Sequence, residues 1–145
     1  MIERTEDVIF LRSIATHPRV WPWMKEDGCT PEGYEPLIHP SVHYLRFGDH
    51  GFFAFRMMNR ITFDSHVAML PKTQADDAAR AAIEWMWKHT EARKLVCFLP
   101  PVKRHAIRFA QRAGYEQEGR LKASFLLNDT LHDLIVLGVS KWATQ

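Results

Sequence analysis

An α/β fold is what this sequence predicts, and four observations carry the prediction. Ile61 to Leu70 reads as a strand stopped by Pro71, and an alanine-marked helical period begins soon after it. The short apolar run Leu95-Val96-Cys97-Phe98-Leu99, ended by Pro100-Pro101, reads as a central strand covered on both faces, and a second helical stripe follows. Residues 61 to 115 are therefore expected to form a strand, helix, strand, helix unit hinged on the turn from Pro71 to Asp77.

Taken in order, Thr5-Glu6-Asp7 places acidic residues at a helix start, and Val8, Leu11, Ile14 and Ala15 follow at helical spacing up to Pro18. Val20 to Met24 is too interrupted by proline for a long helix. The stretch on to Ser41, with Gly28, Pro31, Gly33, Pro36 and Pro40, is expected to be a long loop or lid. From Val42 the period changes to two, Gly48-Asp49-His50-Gly51 supplies a turn, and Phe52 to Met58 returns as the second strand of a hairpin. Asn59-Arg60 makes a further turn, and Ile61 to Leu70 a third antiparallel strand. Thr73 with Asp76 resembles a capping box, and Ala75, Ala78, Ala79, Ala82 and Met86 recur on one helical face. Val102, Ala106, Phe109, Ala110 and Ala113 form the next stripe, with Gly114 at the expected C-cap. Tyr115 to Leu127, the turn Asn128-Asp129, and Thr130 to Val139 close the chain as a hairpin.

The bulk numbers narrow the function. With 145 residues, 46% hydrophobic and 12% aromatic, the chain can bury a proper core, so a single domain over residues 1–145 is expected. A net charge of +2, from 19 basic and 17 acidic residues scattered along the chain, announces no nucleic-acid partner. No apolar run reaches the roughly 20 residues of a membrane span, and the first residues resemble no secretory signal. Cys29 and Cys97 lie far apart, and Cys97 falls in an apolar run where a reduced thiol is ordinary, which favours a cytoplasmic location. The histidines show no metal-ligand spacing, so no metal site is expected.

Asp64 and His66 alternate on one face of the strand leading into the Pro71 turn, so their side chains point the same way. A histidine titrates near neutrality, and a carboxylate beside it fixes its orientation, so the pair is the candidate general base and its positioning residue. A solvated pair on a half-exposed strand is the plainer alternative. Trp85 and Trp87 read as packing on the main helix. Trp21 and Trp23 are open to two readings, packing or lining a substrate mouth.

The order of elements, and two stretches of sequence, resemble the GNAT superfamily of N-acetyltransferases over about residues 42 to 139. Val67-Ala68-Met69-Leu70-Pro71 followed by Gln74-Ala75-Asp76-Asp77-Ala78-Ala79 matches the register of that family's strand and its Gln/Arg-x-x-Gly-x-Gly/Ala turn. Lys103 to Tyr115 follows the spacing of its Asn-x-x-Ala-x-x-x-Tyr-x-x-x-Gly-Phe pattern. Glu118-Gly119-Arg120 and Asp133 resemble the branch that acetylates protein N-termini.

The resemblance implies a mixed, mostly antiparallel central sheet with helices on both faces, and acetyl-CoA as cofactor. It implies that Gln74, Ala75, Asp76, Asp77, Ala78 and Ala79 form the diphosphate turn, where helix N–H groups attract an anion. The Met69 N–H would polarise the acetyl carbonyl. Asp76 and Asp77 put two carboxylates at that turn, which opposes a diphosphate, although aspartate in a first helical turn is stabilising with or without a ligand. Lys103 replaces the family's asparagine and is open to phosphate contact or to solvation. Ala110 takes the place of a frequent tyrosine that protonates the departing thiolate. The implied partner is a primary amine, either a small molecule or a protein N-terminus. Short GNAT-like phage proteins with eroded glycine motifs suggest the alternative, a non-catalytic binding or virion-assembly component, and a homodimer is open in either case.

Overall fold

The computed structural model describes residues 1–25 and 27–142. Seven strands form one sheet in the order β1-β2-β3-β4-β5-β7-β6: β1 (Ile2–Thr5), β2 (Val42–Phe47), β3 (Gly51–Asn59), β4 (Thr62–Met69), β5 (Lys94–Leu99), β6 (Glu116–Leu127) and β7 (Thr130–Ser140). Every neighbouring pair is antiparallel except β4 and β5. Among the described residues four α-helices, α1 (Val8–Ala15), α2 (Trp21–Met24), α3 (Asp76–His89) and α4 (Arg104–Arg112), and a 3₁₀ turn at Pro31–Gly33 complete the fold. The strand, helix, strand, helix unit from 61 to 115 is present.

The period-two pattern of β3 and β4 divides their side chains between two cores. Phe53, Phe55 and Phe63 pack under Ala78, Ala79, Ala82, Ile83 and Met86 of α3, the alanine stripe read from the sequence. On the opposite face Phe52, Ala54 and Ala68 pack with Leu11, Ile14 and Ala15 of α1. Small residues on α3 bring the helix close to the sheet, and Phe52, Phe63, Leu11, Leu45, Met86, Leu95 and Leu137 are fully buried. Each such side chain contributes about 1.5–3 kcal/mol of transfer free energy.

Two local expectations need correction. The first is an omission: β1 pairs with β2 from Ile2↔Phe47 to Thr5↔Tyr44, and the sequence reading has no strand there. Glu3 and Arg4 give it no apolar pattern, and edge strands tolerate charge. The second concerns the capping box, because the N-cap of α3 is Ala75 and no side chain caps it. Lys72 adopts φ 65°, so the chain turns before Thr73 and the helix starts beyond its reach. α2 is a single turn, in keeping with the proline-interrupted stretch from Val20 to Met24, and the long loop after it carries the 3₁₀ turn Pro31–Gly33. Arg12 holds that loop, donating to the carbonyls of Tyr34, Pro31 and Glu32.

No described helix is long and apolar enough to cross a membrane. Among the described residues no group of three or more His, Cys, Asp or Glu is placed to hold a metal ion.

Three carboxylates make stability depend on acid. Asp27 accepts from the N–H groups of Asp129 and Asn128, Asp76 from the Arg112 guanidinium, and Asp133 from the Ala123 N–H and Arg120; these partners hold each below the ordinary 3.8. A carboxyl that binds its proton less readily folded than unfolded stabilises the fold above its unfolded pKa, and that stabilisation is lost as pH falls through the folded value. The melting temperature is therefore expected to be level down to about pH 5 and to fall below about pH 4. A triple Asp27→Asn, Asp76→Asn, Asp133→Asn variant should show a shallower acid limb in the same melts; an identical limb would assign the acid sensitivity elsewhere.

Candidate functional site

The site originates where two parallel strands separate. β4 pairs with β5 only over Thr62↔Lys94, Phe63↔Leu95 and Asp64↔Val96, after which β4 stays with β3 up to Met69 and β5 stays with β7 up to Leu99. The wedge between them opens into a cavity of about 640 Å³ lined by Ser65 to Met69, Cys97 to Pro100 and parts of α2, α3, α4 and β6.

Strand geometry fixes which backbone groups face this wedge. The Leu70 N–H donates to the His50 carbonyl at 2.8 Å, and the Ala68 carbonyl lies toward Gly51, so even-numbered residues present their backbone groups to β3. Successive residues alternate sides. The N–H groups of Val67 and Met69 are therefore directed at the β5 side, where the ladder has ended.

At the α3 end, Thr73, Ala75 and Ala79 line the cavity. The first N–H groups of the helix have no partners within it and carry the positive end of its dipole. Gln74 is exposed and Ala78 is buried in the core under the sheet. Neither carboxylate of the turn stands alone: Arg112 reaches Asp76 at 2.9 and 3.3 Å, and Arg80 pairs with Asp77. The Arg112 hydrogen bond holds the Asp76 carboxyl below its usual range. The repulsion expected between these aspartates and a diphosphate is thus offset by two guanidiniums.

On the other face, His66 Nε2 lies 3.0 Å from Asp64 Oδ2, so the predicted pair meets. Asp64 is buried while His66 is open to the cavity. Arg56 approaches the same Asp64 oxygen at 3.4 Å, and Asp64 Oδ1 is buried without a hydrogen-bond partner. With its proton on Nε2 facing Asp64, the imidazole presents the Nδ1 lone pair outward.

Two further lining groups, Ser65 and Tyr115, were not singled out from the sequence as site residues. The Tyr115 hydroxyl is 2.7 Å from Ser65 Oγ, and burial raises its pKa. Burial pushes the Cys97 thiol up to about 12, so it stays a neutral wall of the cavity. Lys103 Nζ donates to the Trp23 carbonyl at 2.7 Å and stands 5.8 Å from the centre of the Phe125 ring, joining α4, α2 and β6. Asp27 accepts from Asn128 N at 2.9 Å and Asp129 N at 2.8 Å, which ties the long loop to the tip of the last hairpin. Of the two tryptophans before the loop, Trp23 lines the cavity, while Trp21 packs edge-on against Tyr34 at 6.1 Å.

No protein-family model matches the sequence, and no curated protein sequence matches it either. Solved structures do. The spermidine N-acetyltransferase from Vibrio cholerae, in complex with CoA and spermine, superposes with a TM-score of 0.78 at 15% identity, over 97% of this chain and 95% of that one. The ribosomal-protein-S5-alanine acetyltransferase from Vibrio fischeri gives a TM-score of 0.77 at 15% identity, over 99% and 94%. A GNAT-family acetyltransferase from Bacillus anthracis gives 0.59 at 16% identity, over 69% and 66%. The chain has the GNAT fold, with a mostly antiparallel sheet and helices on both faces.

Proposed function

We propose that this chain is an acetyl-CoA-dependent N-acetyltransferase that acts on a primary amine. The observation that carries the reading is the wedge between β4 and β5, where the Met69 N–H, the start of α3 and the His66–Asp64 pair all reach one cavity.

The residues present fit the cofactor. Small side chains at Ala75 and Ala79 leave the first N–H groups of α3 approachable, and the nearby carboxylates are paired with arginines. Thr73, Gln74, Ala75, Asp76, Asp77, Ala78 and Ala79 would hold the diphosphate through backbone groups, and the splayed strands would hold the rest. Acetyl-CoA supplies the acetyl group as an activated thioester. The Met69 N–H is the donor for the acetyl carbonyl oxygen, a fixed dipole that needs no reorganisation. His66 takes the proton of the attacking amine at Nδ1, and Asp64 is a positioning residue that holds the ring and favours the charge it acquires. Lys103 serves the acceptor end rather than a phosphate in this reading, because its ammonium is engaged with Trp23. A single domain over residues 1–145 and a cytoplasmic location go with the proposal, the latter supported by two free thiols, Cys29 and Cys97.

Two measurements test it. Calorimetry or thermal melts with coenzyme A should show binding, with about 2.7 kcal/mol of stabilisation at a hundred times the dissociation constant. No response at millimolar cofactor would sink the enzyme reading. His66→Ala should lower kcat by about 10²–10⁴; full rates between pH 6 and 9 would remove His66 from the mechanism.

A second reading, a non-catalytic binding or virion-assembly component, is favoured by Ala110, which offers no proton donor, and by Leu121, Leu126 and Leu131 exposed on the last hairpin. It predicts no coenzyme A binding and a stable complex with a partner or a second copy, so the same calorimetry separates the two.

A further inference from the structure

We infer that the acceptor is a monoamine on an aromatic or apolar body and not a polyamine, an inference that rests on the acetyltransferase reading. The end of the cavity that leads to His66 is walled by Val20, Trp23, Met24, Val102 and Phe125. Trp23 is 65% exposed, so a broad aromatic face is offered to whatever enters. Such faces provide large contact area at little conformational cost.

The charges at this end point the same way. Lys103, in contact with the Trp23 carbonyl and near the Phe125 ring, holds an ammonium in the cavity wall beside these aromatic faces. Burial already pushes its pKa below the ordinary value, so a further cation beside it is doubly unfavourable, whereas an apolar or anionic group is not. Arg104 and His105 continue the lining along α4. Among the described residues no aspartate or glutamate lines the cavity, and the buried Asp64 behind it serves His66 and Arg56. A polyamine that put one nitrogen at His66 would carry its other ammonium groups past Lys103 with no carboxylate in the cavity wall to receive them. A monoamine brings only the nitrogen that reacts, and its body rests on Trp23.

The experiment compares tryptamine with spermidine as acceptors for the full chain, following coenzyme A thiol release at equal amine concentration. The expected result is a kcat/KM for tryptamine at least about tenfold above that for spermidine. Binding without turnover gives an independent readout: thermal melts with each amine, the cofactor left out, should show stabilisation by tryptamine at concentrations where spermidine has none. Lys103→Glu should shift the kcat/KM ratio toward spermidine by about tenfold or more. A wild-type preference for spermidine, or a ratio that Lys103→Glu leaves unchanged, overturns the inference. So does coenzyme A binding with neither amine acetylated. If coenzyme A itself fails to bind, the acetyltransferase reading falls, and the inference falls with it.

Discussion

Met69→Pro is expected to leave the protein folded and to lower turnover by about 10²–10³, the loss measured when one donor to a developing oxyanion is removed. Proline lacks the N–H and is tolerated in a sheet only where that N–H has no ladder partner. Position 69 meets the condition, because the Leu70 N–H donates to β3 and residues alternate, which turns the Met69 N–H to the side where β5 has left the ladder. The Leu70 bond to His50 survives the substitution. Ala68→Pro is the control, since it removes an N–H on the β3 side and leaves the carbonyl of its register partner Phe52 buried and unpaired, with an expected loss of about 1–3 kcal/mol of stability. Melting temperatures and kcat/KM for both variants decide the matter. A Met69→Pro protein with wild-type melting and wild-type turnover would show that the Met69 N–H has no part in the reaction.

The backbone logic of this site was legible in the sequence because it is local. Asp64 and His66 are two residues apart on a strand, so one face and one hydrogen bond follow from the period alone. Pro71 and Gly114 mark element ends for the same reason: the C-cap of α4 is Ala113, and Gly114, one residue beyond the expected cap position, takes φ 109°, where a positive φ favours glycine. What stayed hidden depends on pairs remote in sequence. Asp76 reads as a capping-box partner of Thr73, yet its carboxylate is drawn to Arg112, 36 residues away. Lys103 meets Trp23 across 80 residues, Asp27 meets Asn128 across 101, and Ser65 meets Tyr115 across 50. No window of sequence contains both members of these pairs. They also change the chemistry: the aspartates that seem to oppose an anion are paired with Arg112 and Arg80, and the lysine that seems free for a phosphate donates to the Trp23 carbonyl.

Gly51→Ala is expected to destabilise the fold by about 3 kcal/mol, at the upper end of what overpacking costs. A Cβ built at Gly51 would lie 2.1 Å from the Ala68 carbonyl oxygen, 2.7 Å from Met69 Sδ and 2.8 Å from Met69 Cα. Two of those three neighbours are backbone, so rotating a side chain gives little relief and the β3–β4 ladder must shift. For a chain of this length the loss corresponds to a melting temperature lower by about 10 °C. Gly48→Ala provides the contrast, because a Cβ there meets only His50 Cδ2 at 3.6 Å; its φ of 51° leaves a torsional penalty of about 1–2 kcal/mol. The strand that must give way at Gly51 is the one that aims the Met69 N–H into the wedge. Turnover of Gly51→Ala at a temperature where the variant is still folded should therefore fall well below wild type, while Gly48→Ala keeps its rate. Equal melting temperatures for Gly51→Ala and wild type would mean that β3 and β4 are farther apart than the register indicates, and the assignment of the Met69 N–H would have to be withdrawn with it.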